Sequence, residues 1–343
     1  MSTVNSQLSI IYMGTPEFAV AGLSALIEAG KNVVAVVTMP DKPAGRGHLM
    51  SSSPVKEYAY KHDLPILQPV NLKDEAFIEE LRSYKADIQI VTAFRMLPEV
   101  VWAMPRLGTF NVHGSLLPQY RGAAPINWAV INGEKETGLT TFMLKHEIDT
   151  GDMIMQERIE IGKEEDAGSV HDRLMELSKK ITLDTLNLIE ECDRTGEKLP
   201  LFKQGNPAGL KPAPKIFKEN CEIDFTKTAQ EVHDFIRGLS PYPGAWCNLH
   251  FGEGRDRRVK LFASEVTGIG RPDNMTIGVP VINWYDKLIF IPCQDDLIVV
   301  REMQLPDRKR MNVKDAMNGL LNEFGLNPKD FVPIDCPTYD WLA

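Results

Sequence analysis

The chain contains no run approaching about 18 consecutive apolar residues, which excludes an ordinary membrane-spanning helix. Cysteine is scarce, with five in 343 residues: Cys192, Cys221, Cys247, Cys293 and Cys336. They are odd in number, widely spaced and form no C-x-x-C pair, which argues against a disulfide framework and against a zinc site. A reducing cytoplasm is the simplest compartment for such a chain. The first seven residues carry no basic group, and the apolar run that follows reads as a strand, so no secretory signal is expected. Positive charge is also in short supply. Against 47 Asp and Glu stand 38 Lys and Arg, for a net charge of −9. A whole-molecule charge of that sign speaks against a nucleic-acid partner. Binding depends on the local field, however, and basic residues gather at Lys42/Arg46/His48, Lys203/Lys211/Lys215/Lys218, Arg255/Arg257/Arg258/Lys260 and Arg308/Lys309/Arg310. Any one of these clusters taken alone reads as a solvated surface. The dinucleotide fingerprint G-x-G-x-x-G is absent: Gly14-Thr15-Pro16 supplies only the turn, so no NAD is assigned. There is no internal repeat and no low-complexity tract.

What is present suits a globular chain of two domains. Hydrophobic residues make up 43% and charged residues 25%, an ordinary balance with enough apolar material for a sizeable core. The first half alternates short apolar runs with amphipathic stretches. Strands are expected at 8–13, 33–38, 87–93, 109–113 and 139–144, with helices at 16–28, 74–84, 98–104 and 125–131. Ser169 reads as the N-cap of a long helix ending near 193. That alternation describes an open, mostly parallel α/β sheet of Rossmann-like type. Inside it lies an aperiodic loop from Thr38 to Pro54 with two glycines, several prolines and a basic cluster; loops of that length in a compact α/β unit are usually functional or disordered. A stretch rich in Pro, Gly and Lys, 196–214, separates this half from one helix (228–239) and four short strands (246–251, 259–266, 288–292, 297–305), the pattern of a small barrel.

Asn111 and His113 stand two apart on an expected strand, so both side chains point to one face. They lie at its C-terminal end, where open α/β sheets bind ligands. The following Gly114-Ser115-Leu116-Leu117-Pro118 is a loop able to face a flat ligand. Asp149 follows another strand. An amide, an imidazole and a carboxylate meeting at one sheet edge suit acyl transfer to an amine. The tetrahedral centre needs donors for its oxyanion, and the proton lost by the amine and gained by the leaving nitrogen needs a carrier. No Ser or Cys nucleophile is required, because the amine attacks directly. Taken singly, His113 reads as a buried structural histidine and Asp149 as a turn residue.

Along nearly all its length the sequence resembles the methionyl-tRNA formyltransferase family. The resemblance rests on IIYMGTPEFAV (10–20), MPDKPAGRG (39–47), SPVK (53–56), NVHGSLLPQYRGAAPI (111–126) and IDTGDM (148–153). The N-x-H and D-T-G-D core is shared by other 10-formyltetrahydrofolate-dependent transferases. The PDKPAGRG loop and the barrel-like C-terminal half point to the enzyme acting on tRNA. The resemblance implies 10-formyltetrahydrofolate as co-substrate, no metal, initiator methionyl-tRNA as partner, and a cytoplasmic, monomeric enzyme of translation initiation. It implies Asn111, His113 and Asp149 as the catalytic trio, Ser115, Leu116, Leu117 and Pro118 as the folate-contacting loop, and Lys42 and Arg46 in a loop that enters the tRNA acceptor end. The implied organisation is a formyltransferase catalytic domain over 1–195, a linker over 196–214 and an OB-like, tRNA-supporting β-barrel domain over 215–343. One departure is local: similar chains carry Ala-Tyr-Gly where this one has Ala93-Phe94-Arg95. The competing readings are a formyltransferase for a small amine, such as a nucleotide sugar or purine precursor, and a non-catalytic folate- or RNA-binding module.

Overall fold

A computed structural model describes residues 7–44, 49–147, 149–205, 207–252, 254–327, 329 and 331. The chain forms two compact units. The first comprises residues up to 125 together with 136–160 and 170–214; the second comprises 126–135, 161–169 and the chain from 215 onward.

In chain order the elements up to the long helix are β1 (Ile10–Gly14), α1 (Glu17–Glu28), β2 (Val33–Val37), β3 (Lys42–Ala44), β4 (Leu49–Ser51), α2 (Pro54–Lys61), β5 (Ile66–Leu67), α3 (Glu75–Ser83), β6 (Ile88–Thr92), α4 (Glu99–Trp102), β7 (Thr109–His113), α5 (Pro125–Ile131), β8 (Glu136–Met143), β9 (Met153–Glu160) and α6 (Ala167–Thr195). Seven strands form one sheet in the order β5-β2-β1-β6-β7-β8-β9. The first five run parallel, while β8 and β9 are antiparallel additions. The parallel strands are buried on both faces and nearly continuous in apolar residues, as Ile10-Ile11-Tyr12-Met13 illustrates. One face packs Ile11, Met13, Ala35, Val37 and Val91 against Phe77, Leu81, Leu97 and Val101. Tyr12 is fully buried; its phenol donates to the Ala19 carbonyl at 2.7 Å, and burial pushes its pKa up.

Helix starts follow local chemistry. Ser53 caps α2 by accepting from the Lys56 N–H at 3.1 Å, with Pro54 at the first helical position. Asp74 caps α3 through the Ala76 N–H at 2.9 Å. The long helix α6 begins at Ala167, two residues before the Ser169 cap expected from the sequence. The capping atom is the Asp166 carboxylate, which accepts from the Ser169 N–H at 2.8 Å. A carboxylate there also faces the positive end of the helix dipole, so it is the stronger of two adjacent capping signals.

Beyond α6 the chain turns back along the first unit. Phe202 pairs with Met153 through two 2.8 Å backbone hydrogen bonds, and the Ala213 carbonyl accepts from Ala123 N at 2.7 Å. The Tyr120 N–H donates to the Lys211 carbonyl at 2.8 Å.

The second unit contains α7 (Ala229–Gly238), β10 (Ala245–His250), β11 (Asp256–Val266), β12 (Val281–Asn283), β13 (Leu288–Pro292), β14 (Leu297–Gln304), β15 (Met311–Asn312) and α8 (Val313–Phe324). Its strands form an antiparallel half-barrel, paired in the order β10-β11-β14-β13-β12 with β15 on β14. Val232, Ile236, Leu261, Ile291, Val300 and Leu320 lie within its apolar core. Thr228 and Glu231 form a reciprocal capping box at the start of α7. Among the described residues, no helix is long and apolar enough to cross a membrane.

Candidate active site

β7 sits between parallel β6 and antiparallel β8, and its C-terminal end delivers the site. Asn111 is in register with Phe142, and His113 with Thr140. The two side chains share a face because they are two residues apart. Asn111 is half-buried, and its side chain has no hydrogen-bond partner among the described residues. His113 is buried, with Phe142 edge-on to its ring. Its Nε2 lies 2.9 Å from the Tyr120 carbonyl oxygen. A carbonyl can only accept, so Nε2 carries a hydrogen and Nδ1 is the ring nitrogen left for other partners. Nδ1 stands 3.9 Å from Asp149 Oδ2.

Asp149 lies in the turn between β8 and β9. Its backbone is left-handed, with φ of 54°. Its Oδ2 accepts from the Gly122 N–H at 3.0 Å. Gly122 has φ of 127°, and a Cβ there would meet the Ala213 carbonyl oxygen at 2.4 Å, so this close approach needs glycine. The positions of His113 and Asp149 at strand ends suggest a common sheet edge, and the sheet sets the 3.9 Å between them.

The 115–118 loop is held from beneath by Thr140. Its hydroxyl donates to the Ser115 carbonyl at 2.7 Å and accepts from the Leu117 N–H at 3.1 Å and Gln156 Nε2 at 3.0 Å. Gln156 also donates to the Leu117 carbonyl at 2.8 Å. Ser115 is fully buried, with its hydroxyl donating to the Gln119 carbonyl at 2.7 Å. The polar groups of Ser115 and Leu117 thus fix the shape of the loop, and the partly exposed Leu116 and Pro118 form its surface.

Arg95, where the sequence departs from similar chains, donates to the Val70 carbonyl at 2.8 Å and to the Pro69 carbonyl, and packs over Phe94. Burial lowers its pKa. Lys42 is exposed on β3, directly opposite Ser51 of β4. Arg46 and His48 lie outside the described residues. At the foot of this hairpin Asp41 accepts from Lys56 Nζ at 2.5 Å and from Gln68, and the Lys56 hydrogen bond holds its carboxyl below the usual range. In the second unit Arg257 pairs with Glu323 and Arg310 with Glu302, while Arg258 stacks over Trp246 at 4.2 Å.

Thr140 and Gln156, which hold the 115–118 loop, and Gln204, which donates to the Asp149 and Gly151 carbonyls and accepts from Arg121, are contacts that sequence reasoning passes over. Thr140 and Gln156 are ordinary strand residues by pattern. Gln204 lies in the Pro/Gly/Lys-rich stretch read as a linker.

The profile of the family described as "Formyl transferase" matches residues 7–186, and that of "Formyl transferase, C-terminal domain" matches 215–321. The chain belongs to the formyl transferase family. A protein of Bacteroides fragilis named methionyl-tRNA formyltransferase is 53% identical over 312 residues, covering 91% of this chain and 95% of its own. One of the same name from Flavobacterium johnsoniae is 48% identical over 314 residues, covering 92% of this chain and 96% of its own. The solved N-formyltransferase of Helicobacter canadensis, complexed with folinic acid and dTDP-3-aminofucose, shares the fold at 19% identity. Its TM-score is 0.60, over 85% of this chain and 98% of that one.

Proposed function

We propose that the chain transfers the formyl group of 10-formyltetrahydrofolate to the α-amino group of initiator methionyl-tRNA, giving N-formylmethionyl-tRNA for translation initiation. The observation that carries this reading is its likeness, at 46% to 53% identity over about nine-tenths of the chain, to relatives named methionyl-tRNA formyltransferase. The reading places the enzyme in the cytoplasm as a monomer that needs no metal.

The amine nitrogen attacks the formyl carbon. The new C–N bond forms, the carbonyl π electrons move to oxygen, and collapse then breaks the bond to the folate nitrogen. The amine gives up one proton and the leaving nitrogen takes one, so the exchange balances. Asn111, with its unengaged amide, and the Nδ1–H of protonated His113 are assigned to the oxyanion; donors aimed at such a centre are worth about 10²–10³ in rate each. Passing the proton is also assigned to His113 Nδ1, because Nε2 is committed to the Tyr120 carbonyl. Asp149 faces that nitrogen and assists the transfer when the ring is charged. Leu116 and Pro118, on a loop fixed by Ser115, Leu117 and Thr140, offer an apolar edge for the flat pterin. Lys42 and Arg46 are assigned to the acceptor end of the tRNA, with the second unit supporting the rest. The test is direct: incubate the protein with 10-formyltetrahydrofolate and charged initiator tRNA, hydrolyse mildly, and look for formylmethionine. Formylation of nucleotide sugars or other small amines, with none on the tRNA, would overturn the assignment.

A further inference from the structure

Gln204 has no part in the mechanism above, yet its amide is used completely. It is 8% exposed. Its Nε2 donates to the Asp149 carbonyl at 2.7 Å and to the Gly151 carbonyl at 2.7 Å. Its Oε1 accepts from Arg121 Nε at 3.0 Å and Nη2 at 2.6 Å. A primary amide has two N–H donors and two acceptor lone pairs, so all four are engaged.

What those bonds join gives the residue its meaning. On one side is Asp149, whose left-handed backbone, with φ of 54°, is tied through its own carbonyl to the Gln204 amide. On the other side is Arg121, which lies between Tyr120 and Gly122. The Tyr120 carbonyl fixes His113, and the Gly122 N–H fixes the Asp149 carboxylate. One buried side chain thus ties the loop that orients the imidazole to the turn that carries the carboxylate.

We infer that Gln204 is a positioning residue for formyl transfer: it sets the 3.9 Å relation between His113 Nδ1 and Asp149 Oδ2. This rests on the catalytic reading of that pair. Glutamate at 204 keeps the shape and the Arg121 contacts but turns a carboxylate oxygen toward two carbonyls. Asparagine lacks the reach to span both loops.

The full-length parent is compared with Gln204→Glu, Gln204→Ala, Asp149→Ala and the Gln204→Ala/Asp149→Ala double variant. The expected result for Gln204→Glu is a fall in kcat of about 10²-fold, the size of effect that a small misplacement produces, with KM for the folate and for methionyl-tRNA changed less than about threefold. The NMR titration of ring-labelled His113 should shift in the same variant. In the Asp149→Ala background, Gln204→Ala should cost clearly less than it does in the parent, because much of its effect runs through Asp149. Gln204→Glu carries the test if the alanine variant fails to fold. Parent-like kcat with an unmoved His113 titration, or losses that multiply in the double variant, would overturn the inference. A parent that formylates nothing while its His113 titration still responds to Gln204→Glu would retain the positioning role and remove the proposed function instead.

Discussion

His113 and Asp149 face each other through one pair of atoms, Nδ1 and Oδ2, at 3.9 Å, while the opposite edge of the imidazole is bound to the Tyr120 carbonyl. The ring therefore has one orientation and one free nitrogen. That fixes what substitution should do. His113→Ala and Asn111→Ala should each lower kcat by about 10²–10³-fold, with little change in either KM. Asp149→Asn keeps the Gly122 acceptor and removes the charge; it should lower kcat and alter the pH–rate profile. Steady-state kinetics from pH 5 to 9 check all three. An unchanged rate in any one variant removes that residue from the chemistry.

The β3–β4 hairpin provides a second prediction, on partner binding. Arg46→Ala and Lys42→Ala should lower kcat/KM for methionyl-tRNA far more than they alter folate binding. If each contacts one phosphate, the log–log salt dependence of tRNA binding should become shallower by about one unit or less per variant. Binding measured at several salt concentrations, with circular dichroism as the control for folding, decides the matter. Curves identical to the parent's would return both residues to the solvated surface.

Gly151 tests the turn itself. A Cβ there would meet the Met143 carbonyl oxygen at 1.7 Å and Phe142 Cδ2 at 2.9 Å. Backbone on one side and a buried ring on the other leave no easy escape. Gly151→Ala should displace the turn that carries Asp149, destabilise the protein by about 1–3 kcal/mol and cut kcat. Urea unfolding read together with turnover measures both effects. A variant with parent stability and parent kcat would mean that the turn shifts without consequence for Asp149.

Two thiols give a pH prediction. Burial pushes Cys247 and Cys293 up to about 12, and only the thiolate reacts. Iodoacetamide at pH 8 should leave both unmodified in the native protein and label them on unfolding, as peptide mass spectrometry would show. The linkage has a definite sign. A thiol with a raised folded pKa contributes stability that is complete below its unfolded value of about 8.5. That contribution fades as pH rises from there through the folded value, so alkaline titration should lower the urea midpoint. Rapid native labelling at either position would contradict this burial.

The sequence reveals elements where period and punctuation agree. β7, α5 and β13 have the bounds that alternation, an N-terminal proline and flanking turns suggest. β8 begins at Glu136 rather than 139, because Glu136-Thr137-Gly138 has no apolar signal and belongs to the strand only through pairing with β9. β9 escapes notice for a related reason. It is the edge strand, and its second half, Gln156-Glu157-Arg158, is polar because it borders solvent. Asn111 and His113 can be paired from the strand period alone. Their relation to Asp149 needs the sheet, and the role of Gln204 depends on a return of the chain that no local pattern encodes.

That return has a consequence for synthesis. Chains emerge from the ribosome N-terminus first, and domains fold as units while they do so. Asn111, His113 and Asp149 are all translated before α6, yet Phe202, Gln204, Lys211 and Ala213 reach back to bond Met153, Asp149, Tyr120 and Ala123. A nascent chain paused at residue 200 has every proposed reacting group and none of these bonds. Completion of the site is thus delayed until the stretch through 213 has cleared the exit tunnel.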